Sequence, residues 1–112
     1  MYPDKIGELV DTFLTSPGKT TPALRRAIEA HGARLAGGER KDEEAIPGEL
    51  STYVEKVALY AHKTMDEDVE ALKRAGYSED QIFEITLSAT LGASLARLER
   101  GLALLEESES CV

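Results

Sequence analysis

Apolar residues recur every three or four positions along this chain, and no stretch alternates with the two-residue period of a strand. The pattern predicts an all-α domain of about five helices over residues 1–112, with a flexible tail at 105–112. In the first helix Ile6, Leu9, Val10, Phe13 and Leu14 share one face, and Ser16-Pro17-Gly18 stops it. Thr21 is placed to cap the second helix, with Pro22 at its first position, where a missing N–H costs nothing. Leu24, Ile28, His31 and Leu35 form its inner face, and Gly37-Gly38 end it. A charged loop over 37–48 follows. The third helix, about 50–63, presents Leu50, Tyr53, Val54, Val57, Ala58 and Ala61 on one side.

Two helix starts are written in the next segment. Thr64-Met65-Asp66-Glu67 reads as a capping box, with Asp66, Glu67 and Asp68 favourably placed at the positive end of the helix dipole. This short helix closes on Lys73, Arg74 and Gly76. Ser78-Glu79-Asp80-Gln81 is a second capping box, with Tyr77 and Ile82 as its hydrophobic staple. The last helix, about 79–105, has two usable faces. One is a seam of Leu87, Leu91, Leu95 or Ser94, Leu98, Leu102 and Leu105; the other is small, with Ala89, Gly92, Ala93 and Ala96. Four modest helices can cover one of these, so a second copy of the chain is expected to cover part of the other.

Composition narrows the function. The 21 acidic residues against 13 Lys and Arg give a formal charge of −8, which argues against nucleic acid as the main partner, since phosphate contacts need clustered cations. The longest stretch without a formal charge, residues 85–96, falls short of the roughly 20 apolar residues a bilayer span needs. The N-terminus lacks the basic flank and apolar run of a secretory signal, so a cytoplasmic protein without a membrane partner is expected. One cysteine, Cys111, makes neither an internal disulfide nor a CxxC pair. With two distant histidines and no phosphate-binding loop, no metal or cofactor is expected.

The run AHKTMDEDVEALKRAGYSEDQI at 61–82 resembles the core of the alkylhydroperoxidase D / carboxymuconolactone decarboxylase-like family. The resemblance covers about 49–105, half the chain. It implies an all-helical alkylhydroperoxidase D-like fold that assembles as a trimer or hexamer. Thiol-active members carry C-x-x-C-x-x-x-H, its histidine eight residues before the glycine. Counted back from Gly76, those places hold Ala61, Thr64 and Asp68, so all three functional residues are absent. A thiolate is the nucleophile in peroxide and disulfide chemistry, and threonine does not supply one. Cys111 lies in the tail without a resolving partner.

Among the residues present, His62 is the leading catalytic candidate. Glu55, Leu59, His62 and Asp66 fall at i, i+4, i+7 and i+11 on a continuous helix, which would flank the imidazole with two carboxylates and suit it to act as a base. The bland alternative is a surface histidine at a helix C-terminus. His31 reads as a satisfied core-edge histidine. The acids Asp66, Glu67, Asp68 and Glu70 read as helix capping before they read as a cation site, and Arg97 and Arg100 as partners of nearby acids before they read as an anion clamp. The expected function is therefore a thiol-free assembly or ligand-binding module. The alternative is an acid–base decarboxylase or lactone-processing enzyme that takes a small carboxylic acid and uses His62 with Glu55 or Asp66.

Overall fold

The computed structural model describes residues 4–38, 40 and 45–110. Among them are five α-helices and one 3-10 turn: α1 Asp4–Thr15, α2 Pro22–Leu35, α3 Gly48–Tyr60, the turn Ala61–Lys63, α4 Asp66–Arg74 and α5 Glu79–Ser110. The all-α class follows from the periodicity, and most boundaries follow from local chemistry. The Thr21 hydroxyl accepts the Leu24 N–H at 3.1 Å and opens α2. Ser78 and Gln81 form both halves of a capping box at the start of α5, at 2.9 and 3.1 Å. Gly76, at φ +105°, turns the chain out of α4 while the Tyr77 N–H reaches the Leu72 carbonyl at 3.1 Å. Only glycine adopts that φ without strain, so Gly76→Ala is expected to cost about 1 kcal/mol in urea unfolding.

The start of α4 departs from the pattern. Met65, not Thr64, is its N-cap, in an extended conformation. Asp68, not Glu67, reaches back, accepting the Met65 N–H at 2.8 Å. The reason is upstream: α3 stops at Tyr60, and the 3-10 turn draws the Thr64 N–H onto the Ala61 carbonyl at 3.1 Å. Thr64 thus closes one turn instead of opening the next, and its hydroxyl oxygen is buried without a hydrogen-bond partner among the described residues. At the other end, α5 continues through Ser110, past the expected limit at 105. Cys111, and the loop residues 39 and 41–44, lie outside the described residues.

The principal core joins Ile28 of α2, Leu50, Tyr53, Val54 and Val57 of α3, Leu72 of α4 and Ile82, Ile85 and Ala89 of α5. A smaller cluster seats Val10 and Leu14 of α1 on Leu95. The most extensive helix pair is α2 with α5. Small residues permit it: a Cβ on Gly32 would stand 2.8 Å from the Ala89 carbonyl oxygen, and one on Gly92 would run into the Glu29 carbonyl. The small face of α5 is therefore the inner one, and α2 is buried over Ala27, Ile28, Ala30, Gly32 and Ala33 rather than chiefly along Leu24, His31 and Leu35.

Two ion clusters fasten the loops to this pair. Arg25 is 2% exposed and pairs with Glu84 at 3.2 Å; it also donates to the Thr20 and Ser16 carbonyls. Arg40 bridges Glu29 of α2 and Glu99 of α5 at 3.4 and 3.2 Å.

With its 32 residues, α5 spans about 48 Å at 1.5 Å per residue and sets the long dimension of the 55 × 29 × 22 Å molecule. Its leucine seam lies opposite the small face. Leu95 does not belong to that seam, being buried under α1, so Ser94 occupies the place. Phe83 extends the seam at its N-terminal end and is 65% exposed, with Leu98 at 39% and Leu105 at 63%. Among the described residues no helix is long and apolar enough to cross a membrane.

Candidate functional site

One turn pattern on α3 lines an open cleft. Glu49, Thr52, Tyr53, Lys56 and Tyr60 fall at i, i+3, i+4, i+7 and i+11, the border between the helix's apolar and wet sides. With Glu55 beside them, and Asp68, Ala71 and Leu72 from α4, they enclose an open cleft of about 370 Å³. That volume lies within the range of small-molecule clefts, about 300–1,000 Å³. Its base is apolar, formed by the buried Tyr53 and Leu72.

The polar groups in the cleft are fixed to different degrees. Thr86 gives its hydroxyl proton to the Ile82 carbonyl at 2.7 Å, so the Tyr53 hydroxyl, 2.7 Å from the Thr86 oxygen, is the donor of that pair. Lys56 grips both Asp68 oxygens, at 2.9 and 3.1 Å, and ties α3 to α4 across the cleft. The Met65 N–H, and then Lys56, hold the Asp68 carboxyl below the usual carboxylate range. The Tyr77 hydroxyl donates to Glu49 at 3.0 Å; burial first, and then the Glu49 carboxylate, push its pKa up. Glu55 is exposed and makes no hydrogen bond or ion pair among the described residues. The Tyr60 ring carries the Lys63 ammonium 5.5 Å from its centroid.

The sequence candidates fall in separate places. Glu55 lines the cleft. His62 is exposed in the 3-10 turn and is not part of the lining, while Asp66 is exposed at the first position of α4. The spacing that joined them assumes a continuous helix from 55 to 66, and that helix ends at Tyr60. The histidine within electrostatic reach of Glu55 is instead His31, which is half-buried; burial, then the nearby Arg34, lower its pKa against the opposing pull of Glu55. Arg97 donates to the Ala58 carbonyl at 2.7 Å, a backbone contact at the end of α3, and Arg100 is exposed. Of the acids considered as a cation site, Asp68 belongs to Lys56, and Glu70 pairs with Lys73 at 3.5 Å. Among the described residues no three His, Cys, Asp or Glu side chains converge as a metal site.

Sequence reasoning read Tyr53 as part of the apolar face of α3 and passed over Lys56 and Tyr60. Their signal was the stripe on α3, which reads equally well as the ordinary edge of an amphipathic helix. Nothing local shows that Lys56 meets Asp68, twelve residues on, because that contact depends on where α4 returns. No family model, no curated protein and no solved structure matches this chain.

Proposed function

We propose that this chain is a thiol-free helical module that binds a small molecule in the cleft between α3 and α4, a divergent relative of the alkylhydroperoxidase D / carboxymuconolactone decarboxylase-like family. The observation that carries this reading is the cleft itself: an open, apolar-based volume of about 370 Å³ whose charged groups stand at its walls. Of the three positions where the resemblance sets the redox motif, Ala61, Thr64 and Asp68, the last lines this cleft. A cytoplasmic setting and self-association along the Phe83–Leu105 side of α5 accord with this reading, since a second copy would cover the exposed seam. The acid–base alternative has less support, because His62 stands outside the cleft lining.

Two experiments test the proposal. In a fragment screen by NMR, ligands should perturb Tyr53 and Tyr60, and Ala71→Trp should abolish the response. Ala71 lines the cleft and is exposed, so the bulky side chain fills the volume at a stability cost within about 0.5 kcal/mol. Fragment binding that persists unchanged in Ala71→Trp overturns the site. A peroxidase assay with a dithiol donor should give no turnover, whereas turnover that survives Cys111→Ser would overturn the thiol-free reading.

A further inference from the structure

We infer that the cleft selects a small organic cation, a protonated or quaternary amine on an aromatic or aliphatic body, over a carboxylic acid. This rests on reading the α3–α4 cleft as a binding site. Three carboxylates, Glu49, Glu55 and Asp68, line it against one ammonium, Lys56. That ammonium is already spent, because both Asp68 oxygens hold it at 2.9 and 3.1 Å. The charge left uncompensated is negative and belongs to Glu49 and Glu55. Glu49 receives one neutral phenolic donor from Tyr77, at 3.0 Å, and Glu55 has no hydrogen bond or ion pair among the described residues.

An anionic ligand entering here would approach two unneutralised carboxylates and would have to break the Lys56–Asp68 pair to find a partner. A cation meets the opposite situation: it gains Coulomb attraction from both glutamates and leaves the Lys56–Asp68 pair intact. Two tyrosines, Tyr53 at the base and Tyr60 at the rim, supply aromatic surface for the body of such a ligand. One face of the Tyr60 ring holds the Lys63 ammonium, 5.5 Å from its centroid, so a ligand cation must use the glutamates and the other aromatic surface or displace Lys63. Cations over tyrosine faces gain further attraction from the ring quadrupole. A compact amine with one ring suits the volume.

The test uses three probes with one carbon frame and three charges: 2-phenylethylamine, 2-phenylethanol and phenylacetate. Each is titrated into the full-length protein at neutral pH with NMR detection at Tyr53 and Tyr60. The amine should bind about tenfold or more tighter than the alcohol, with phenylacetate weakest. The double variant Glu49→Gln/Glu55→Gln, exposed and isosteric, should reduce that preference to about twofold or less. Raising the salt to 0.5 M should weaken the amine alone. Glu107→Gln, outside the cleft, should change nothing. Equal affinity for the three probes at the tyrosines overturns the cation preference and leaves the cleft as a site. Preference for phenylacetate overturns it in favour of an acid ligand. Failure of every probe to bind at millimolar concentration, with Ala71→Trp indistinguishable from wild type in the fragment screen, overturns the site itself.

Discussion

Gly92→Ala is expected to be the most damaging addition of a single methyl group to this chain. A Cβ at that position would collide with the Glu29 carbonyl and stand 2.9 Å from the Ala33 amide nitrogen. Both obstacles are backbone of α2, and neither can rotate away as a side-chain tip would. The helices must separate, which loosens Ile28 and Ala89 in the core that spans them. Overpacking of this kind costs about 1–3 kcal/mol when side chains can adjust, so a backbone collision should reach or exceed the upper end. Gly101→Ala is the control. It lies on the same helix, nothing stands within 4 Å of the added carbon, and removing a helical glycine should stabilise by about 0.5–1 kcal/mol. Urea unfolding of both variants should therefore move the midpoint in opposite directions. A Gly92→Ala unfolding free energy within about 0.5 kcal/mol of wild type would show that α2 and α5 do not pack in this register.

The second large effect centres on Glu84. Its carboxylate accepts the Lys19 and Thr20 N–H groups at 2.8 and 2.9 Å, the Thr20 hydroxyl at 2.5 Å and the Arg25 guanidinium at 3.2 Å. Arg25 is itself nearly inaccessible and stacks 5.7 Å from the centre of the Phe13 ring. One carboxylate thus holds the α1–α2 loop, α2 and α5 together. Glu84→Leu strands a buried guanidinium and two amides, and breaking such a pair costs about 3–5 kcal/mol. Replacing both partners, as Arg25→Leu/Glu84→Leu, should cost less than the two single losses added together, because the stranded charge is gone.

The same group is expected to make the fold acid-sensitive. Burial pushes the Glu84 pKa up, but the Thr20 hydroxyl, the Lys19 and Thr20 amides and Arg25 outweigh it and bring the value from 4.5 down to about 2. A carboxylate whose pKa is lower in the folded state binds protons more readily when unfolded. Its contribution is therefore complete above pH 4.5 and is lost as the pH falls toward 2. The shift amounts to at most about 3 kcal/mol, and solvent at the rim reduces it to roughly 1–2 kcal/mol. Glu84→Gln should flatten the stability profile between pH 4.5 and 2. A variant profile parallel to that of wild type across this window would remove Glu84 as the cause. Asp68 and Glu79, whose pKa values are also lowered, titrate in the same direction and are present in both proteins, so they cancel in the difference.

How much of this was legible beforehand differs by residue. The helix starts at Thr21 and Ser78 and the stop at Gly76 depend on atoms three or four residues apart, and the pattern placed them correctly. The start of α4 was misplaced by one residue, because a 3-10 turn at Ala61–Lys63 shifts the frame and nothing in Ala-His-Lys marks one. That same turn separates His62 from the straight helix on which its grouping with Glu55 and Asp66 relied. Arg25 has its partner Glu84 59 residues away, and no local spacing encodes that pairing. Glu55 was singled out for a neighbouring histidine, and its place in the structure is the wall of the cleft.

The sequence by itself determined that the chain is helical, where most helices begin, that α5 has two apolar faces, and that no CxxC pair stands before Gly76. These are properties of residues within one or two turns of each other, set by side-chain period and by capping atoms. Only the tertiary structure decided which face of α5 turns inward. Both faces are apolar, but the Gly92 and Ala89 side lets two backbones approach, and a row of leucines holds them apart. It also decided that α4 returns beside α3, which brings Asp68 to Lys56 and leaves between them a cleft whose unpaired charge is negative.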